Sequence, residues 1–141
     1  MFKYEEDVKD LEECPPASAR TVSMTAYRFV FQIVEERSFL PVARVSPSRP
    51  LKPQDCCAGK AALSMFDCRK KATKFHFEMT KKYKNFAKLS GTHLAEFTIK
   101  TDDGLATPSR DDGHFSFFEY KQCDFCPRCV NVKEVSYVDI Q

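Results

Sequence analysis

The stretch Asp67–Leu89, DCRKKATKFHFEMTKKYKNFAKL, decides how this chain folds. Cys68, Ala72, Phe75, Met79, Tyr83 and Phe86 recur in it at steps of four and three. That spacing lines one side of an α-helix. Arg69, Lys70, Lys71, Lys74, Lys81, Lys84 and Lys88 fall on the opposite side. Asp67 reads as the N-cap and Ser90-Gly91 as the stop. At ~1.5 Å per residue the predicted helix, residues 67–89, runs about 34 Å. An amphipathic helix of this kind needs a sheet or another helix under its apolar stripe.

The strand-like runs on either side supply that partner. Val22–Val34 alternates Tyr27, Phe29, Phe31 and Ile33 against Ala26, Arg28, Val30, Gln32 and Val34. Both sides are largely apolar, which predicts a central strand. Phe39–Val45 reads as a short strand. Ser46–Pro53, SPSRPLKP, is too proline-rich for a sheet and reads as a loop, either a connector or a cover over a site. Ala61–Phe66 fits a short buried strand or the first turns of the helix; a strand leaves Asp67 free to cap. Thr92–Lys100 alternates as a half-buried strand, Thr101–Gly113 is a loop with two Asp-Asp-Gly turns, and His114–Phe125 and Val130–Ile140 are further strands. Strands outnumber helices without regular interleaving. The expected class is α+β: a mixed or mostly antiparallel sheet packed against one long central helix. Residues 1–18 form a polar N-terminal segment, and 19–141 a single domain.

Composition narrows the function classes. With 43% hydrophobic and 30% charged residues the chain can bury a core. A net charge of +2 gives no global polyanion signature, so any positive field is local to the lysine-bearing stretch. No run reaches the ~20 apolar residues that span a bilayer. The first residues, MFKYEEDVKDLEE, have no apolar core and do not read as an export signal. The seven cysteines are therefore expected reduced, in a cytoplasmic protein, and an odd count argues against a closed disulfide framework.

Several residues stand out for chemistry. Cys123, Cys126 and Cys129 carry the close spacing of metal-binding thiolates, with zinc as the candidate and a fourth ligand to come from Cys56, Cys57, Cys14 or His114. The alternative is three small residues packed in a turn. Arg28 and Glu119 are charges on otherwise apolar strand faces, which calls for a partner or a cleft. His114 follows a flexible turn and begins a strand. The lysines interleaved with Phe75, Phe77 and Tyr83 suggest contact with nucleic acid or simply a solvated face. Phosphate-loop, dinucleotide-fold and hydrolase-elbow motifs are missing from the sequence.

Arg28 on an early strand, Ser64 on a strand entering a helix, and Glu119 late in the chain together resemble the arginine–serine–glutamate class of ADP-ribosyltransferase domains, which includes toxins and effectors. The resemblance spans roughly residues 26–121. The residue two before the glutamate is Phe117, which leaves the acceptor open. The resemblance implies cleavage of NAD at the nicotinamide ribose and modification of a macromolecular target. Arg28, Tyr27, Phe118 and His114 would then bind NAD, with Glu119 and Ser64 catalytic. The other reading is a small cytosolic module that binds protein or RNA, with zinc at the cysteine triplet as a stabiliser. Neither reading involves a membrane.

Overall fold

In a computed structural model that describes residues 1–138, the apolar run at the centre of Val22–Val34 becomes strand β1, Met24–Val30. It lies between β2 (Leu63–Phe66) and β3 (His93–Ile99). With β4 (Gly104–Ala106), β5 (His114–Glu119) and β6 (Val130–Glu134) they form one antiparallel sheet in the order β4-β5-β2-β1-β3-β6. The described residues also hold the helices α1 (Val42–Val45), α2 (Cys56–Ala61), α3 (Arg69–Lys82) and α4 (Phe86–Ser90). The chain is thus α+β, and β1 is central, as its two apolar sides require.

Alternation gives the sheet two distinct faces. One carries Ala26, Val30, Leu63, Met65, Phe97, Phe115 and Phe117. Among the described residues no α-helix joins its cluster; the segments bearing Phe39 and Phe125 close it, with the Phe97 and Phe125 rings 4.8 Å apart. The other face presents Phe29, Phe66 and Leu94 to α3, whose Ala72 is fully buried. There the rings of Phe29, Phe66, Phe75 and Phe86 lie between 5.0 and 6.4 Å from their neighbours.

The single long helix over 67–89 does not form. The helix stops at Lys82, and Tyr83 takes extended angles (φ −126°, ψ 112°) before α4 begins. The reason lies in Phe86. In an unbroken helix it would stand about 16 Å along the axis from Phe75. The break folds it back to 6.3 Å from Phe75 and 5.9 Å from Phe29, under the same apolar cover. Burying that ring outweighs one more helical turn made of Lys81, Lys82 and Lys84. Nor does Asp67 cap α3. Cys68 holds the N-cap position without a side-chain bond, and the Asp67 backbone N–H donates to the Gly113 carbonyl at 3.0 Å.

Other boundaries moved for similar reasons. Phe39–Val45 is no strand: a 3-10 turn over Glu36–Phe39 drives Phe39 into the core, and α1 follows. The run between the proline-rich loop and β2 forms α2, so the predicted strand Ala61–Phe66 begins only at Leu63. Within the predicted loop 101–113, β4 pairs with β5 through Gly104↔Glu119 and Ala106↔Phe117. The expected strands over Val130–Ile140 reduce to β6 among the described residues; the last positions lie outside them.

The N-terminal segment is tied to the body. Phe2 bridges to Tyr120, Tyr4 and Val8 are buried with Ala61, Ala62 and Phe118, and Cys14 is disulfide-bonded to Cys57. That bond corrects the expectation of seven reduced cysteines. The two Cα atoms stand 5.6 Å apart, well inside bonding reach, and an odd count still permits one pair. The compartment argument from reduced thiols falls with it. Among the described residues no helix is long and apolar enough to cross a membrane.

Candidate functional site

Arg28 sits on the core face of β1, between Ala26 and Val30. Among the described residues it meets no carboxylate. Its Nε donates to the Ser38 carbonyl at 2.8 Å, one terminal nitrogen to the Ser64 carbonyl at 2.8 Å and the other to the Leu40 carbonyl at 3.3 Å. Its plane lies over the Phe39 ring, 5.7 Å from the centroid. β1 and β2 share the aligned pair Tyr27↔Phe66, next to which Arg28 reaches the Ser64 carbonyl of β2, while the Ser38 and Leu40 carbonyls belong to the turn that carries Phe39 into the core. A guanidinium, with donors in a planar fork, satisfies them. Burial brings its pKa down to about 10, against the pull of Glu119 and Tyr4, so it stays charged at neutral pH.

Glu119 shares that face at the end of β5 and is 2% exposed. One carboxylate oxygen accepts from Lys3 Nζ at 2.8 Å, and Lys3 also donates to the Cys123 carbonyl at 2.6 Å. The other oxygen, Oε1, is buried without a protein partner. Burial raises the carboxyl pKa, opposed by Lys3 and by the charge of Arg28. Nearby Tyr4 is pushed up to about 12 by burial and by Glu119.

The other residues picked out for NAD chemistry lie across the sheet. Ser64 alternates with the core residues Leu63 and Met65, so its side chain leaves by the α3 face, where it is exposed opposite Ser116. Tyr27 and His114 are on that face too, aligned through Phe66 in a cross-strand row. Tyr27 lies under the Arg69 guanidinium, 5.1 Å from its centroid, and His114 is wedged against Phe66 and Phe75. Burial and the charge of Arg110 push the His114 pKa down to about 4. Phe118 is buried under the N-terminal segment. The sheet therefore brings the side chains of Arg28 and Glu119 to one face and sends that of Ser64 to the other. Two surface hollows, about 300 Å³ under the N-terminal segment and about 410 Å³ beside Glu35–Leu40, are lined by none of these three.

The cysteine triplet does not converge. Cys123 is buried in the core, and Cys126 and Cys129 pack against it. Burial raises all three thiols, Cys123 to about 12 and Cys129 to about 11. Among the described residues no three His, Cys, Asp or Glu side chains are placed to hold a metal. The turn Cys126–Arg128 is fastened instead by Arg128, which grips both oxygens of Asp103 at 2.5 and 2.9 Å.

The lysine side of α3 and α4 contrasts with all of this. Lys70, Lys71, Lys74, Lys81, Lys82, Lys84 and Lys88 are exposed. Of the cations on these helices only Arg69 has a carboxylate partner among the described residues, Glu96 at 3.0 Å. Residues 69–90 hold these eight basic side chains and a single acidic one, Glu78. Since the whole chain is only +2, the remainder is acidic. Two ammonium groups sit over aromatic rings, Lys81 at 4.5 Å from the Phe77 centroid and Lys82 at 5.4 Å from that of Tyr83.

No family model, curated protein or solved structure matches this chain.

Two features of the lysine face escape the helical periodicity. Lys82 is absent from the predicted cationic side, and Tyr83 is assigned to the buried stripe, yet Tyr83 is 53% exposed and Leu89 61%. The run KKYKN carried the signal: three like charges around one aromatic do not favour another buried turn. His76 is buried and hydrogen-bonded at both ring nitrogens. Its Nε2–H donates to the Gly91 carbonyl at 2.9 Å, which leaves Nδ1 to accept the Tyr137 hydroxyl at 2.7 Å. That tautomer is neutral, consistent with a pKa lowered by burial. Gly91 (φ +129°) brings the chain so close to Val30 that a Cβ would lie 2.5 Å from its carbonyl oxygen.

Proposed function

We propose that this chain is a binding module that docks an acidic macromolecule on the lysine side of α3 and α4. The supporting observation is the accounting of charge. Arg28, Arg44, Arg69, Arg128 and Lys3 each engage carboxylates or carbonyls of the fold. The seven lysines of α3, α4 and the link between them engage no carboxylate among the described residues. Crowded like charges repel one another, and an anionic partner relieves that repulsion.

The test is a titration with labelled heparin and labelled RNA at low and moderate salt. The expected result is binding that weakens steeply with salt and falls at least about 100-fold in K81E/K82E/K84E/K88E, because each lost phosphate or sulfate contact removes its counterion release. Failure of both polyanions to bind at low salt, or indifference to the charge reversal, overturns the reading.

A second reading is NAD-dependent ADP-ribosyl transfer. It is supported by Arg28 and Glu119 sharing a sheet face and by the unpartnered Glu119 Oε1. It would have to proceed without Ser64 beside them. NAD turnover by the wild type that disappears in a folded Glu119→Gln variant would favour it; no turnover and no NAD-dependent thermal shift would dismiss it.

A further inference from the structure

We infer that the acidic partner is a single-stranded nucleic acid, with Tyr83 as the stacking platform for a base. This rests on the binding-module reading above and adds the partner's chemistry.

The argument starts from the break between α3 and α4. Tyr83 leaves helical geometry at φ −126° and ψ 112°, while Phe86, three residues on, turns inward to Phe29 and Phe75. The break thus sorts two aromatics: one ring is buried, and the other is put out into solvent at 53% exposure. Tyr83 stands in sequence between Lys82 and Lys84, with Lys81 and Lys88 exposed on the same helical pair. Leu89, 61% exposed, adds apolar surface to the same region of chain.

Three classes of anion can be weighed against this pattern. An acidic peptide uses the lysines and has no use for the exposed Tyr83 ring, over which Lys82 sits. A duplex offers phosphates, but its base faces are already stacked inside the helix. A single strand offers both a phosphate at each nucleotide and a free π-face, which is the pairing of cation and aromatic found here. Along residues 69–90 the exposed cations are all lysines, which lack the planar donor fork that reads base edges. The expected binding is therefore sequence-tolerant.

The experiment measures anisotropy of a labelled oligothymidylate, the same strand annealed to oligoadenylate, and a labelled polyglutamate peptide, at about 50 mM salt and above. The single strand should bind tightest. Tyr83→Ala should weaken it by about tenfold, the loss typical of one stacked base. The same variant should leave the slope of affinity against salt and the binding of polyglutamate unchanged, and Tyr83→Phe should restore the single strand. K84E/K88E should weaken every probe. Tyr83 is exposed, so the alanine variant should melt with the wild type. If the polyanions bind but Tyr83→Ala leaves the single strand unaffected, or if the duplex binds as well as the strand, the stacking inference fails and the lysine face stands. If no probe binds at low salt, both fail.

Discussion

The two faces of the sheet treat charge in opposite ways. On the core face, Arg28 is spent on three backbone carbonyls and Glu119 on Lys3. Over the opposite face, the outer side of α3 carries cations that the fold does not answer. A charge that the protein itself satisfies belongs to stability, since removing it strands its partner in a low-dielectric setting. A charge left open to water contributes little to the fold and is free for another molecule. The residues that look most catalytic in the sequence are of the first kind, and the plain lysine run is of the second.

That contrast can be broken most sharply at Arg28. Arg28→Met removes the donors to Ser38, Ser64 and Leu40 and should cost about 3–5 kcal/mol in urea unfolding. A loss under about 1 kcal/mol would mean the carbonyls find other partners and the guanidinium is not structural. The Cys14–Cys57 bond closes a loop with a sequence separation of 43. Cys14→Ser should lower stability by about 4 kcal/mol in the chain-entropy account, and wild type in a dithiol reductant should show the same drop.

Next in size is the response to acid. His76 and His114 are both held neutral, with pKa values below the ordinary 6.5 and His114 near about 4. Below 6.5 the unfolded chain takes up protons that the folded chain refuses, so stability is complete above that pH and declines as pH falls towards about 4. The His114 share is at most about 3 kcal/mol, and His114→Gln should flatten the pH profile of unfolding over this window. A profile that is unchanged in the variant would place His114 in solvent. The smallest effect belongs to the lysines. K81E/K82E/K84E/K88E should move stability by no more than about 1 kcal/mol while abolishing polyanion binding, and a large destabilisation would show that these charges serve the fold after all.

The longer strands β1, β3 and β5 were readable because alternation is local: Phe29 and Val30 declare opposite faces within one dipeptide. The α+β class followed from their number. What could not be read was which faces of different strands coincide, because register joins residues far apart in the chain. Arg28 and Ser64 each look poised alone, and only the pairing of β1 with β2 puts their side chains on opposite sides of the sheet. The end of α3 was hidden for a related reason. Tyr83 fits the helical stripe by spacing, but the competing burial of Phe86 on Phe29 is a tertiary contact. Cys14 and Cys57 likewise carry no local mark of their pairing.

The lone Tyr27↔Phe66 rung between β1 and β2 has a mechanical consequence. Beside it, β1 and β3 are zipped from Met24↔Ile99 to Val30↔His93. The sheet is thus two three-stranded leaves joined along a seam, and the seam is riveted by one side chain more than by main-chain rungs. Amide exchange should open there sooner than along the β1–β3 ladder, so the leaves would part as cooperative units.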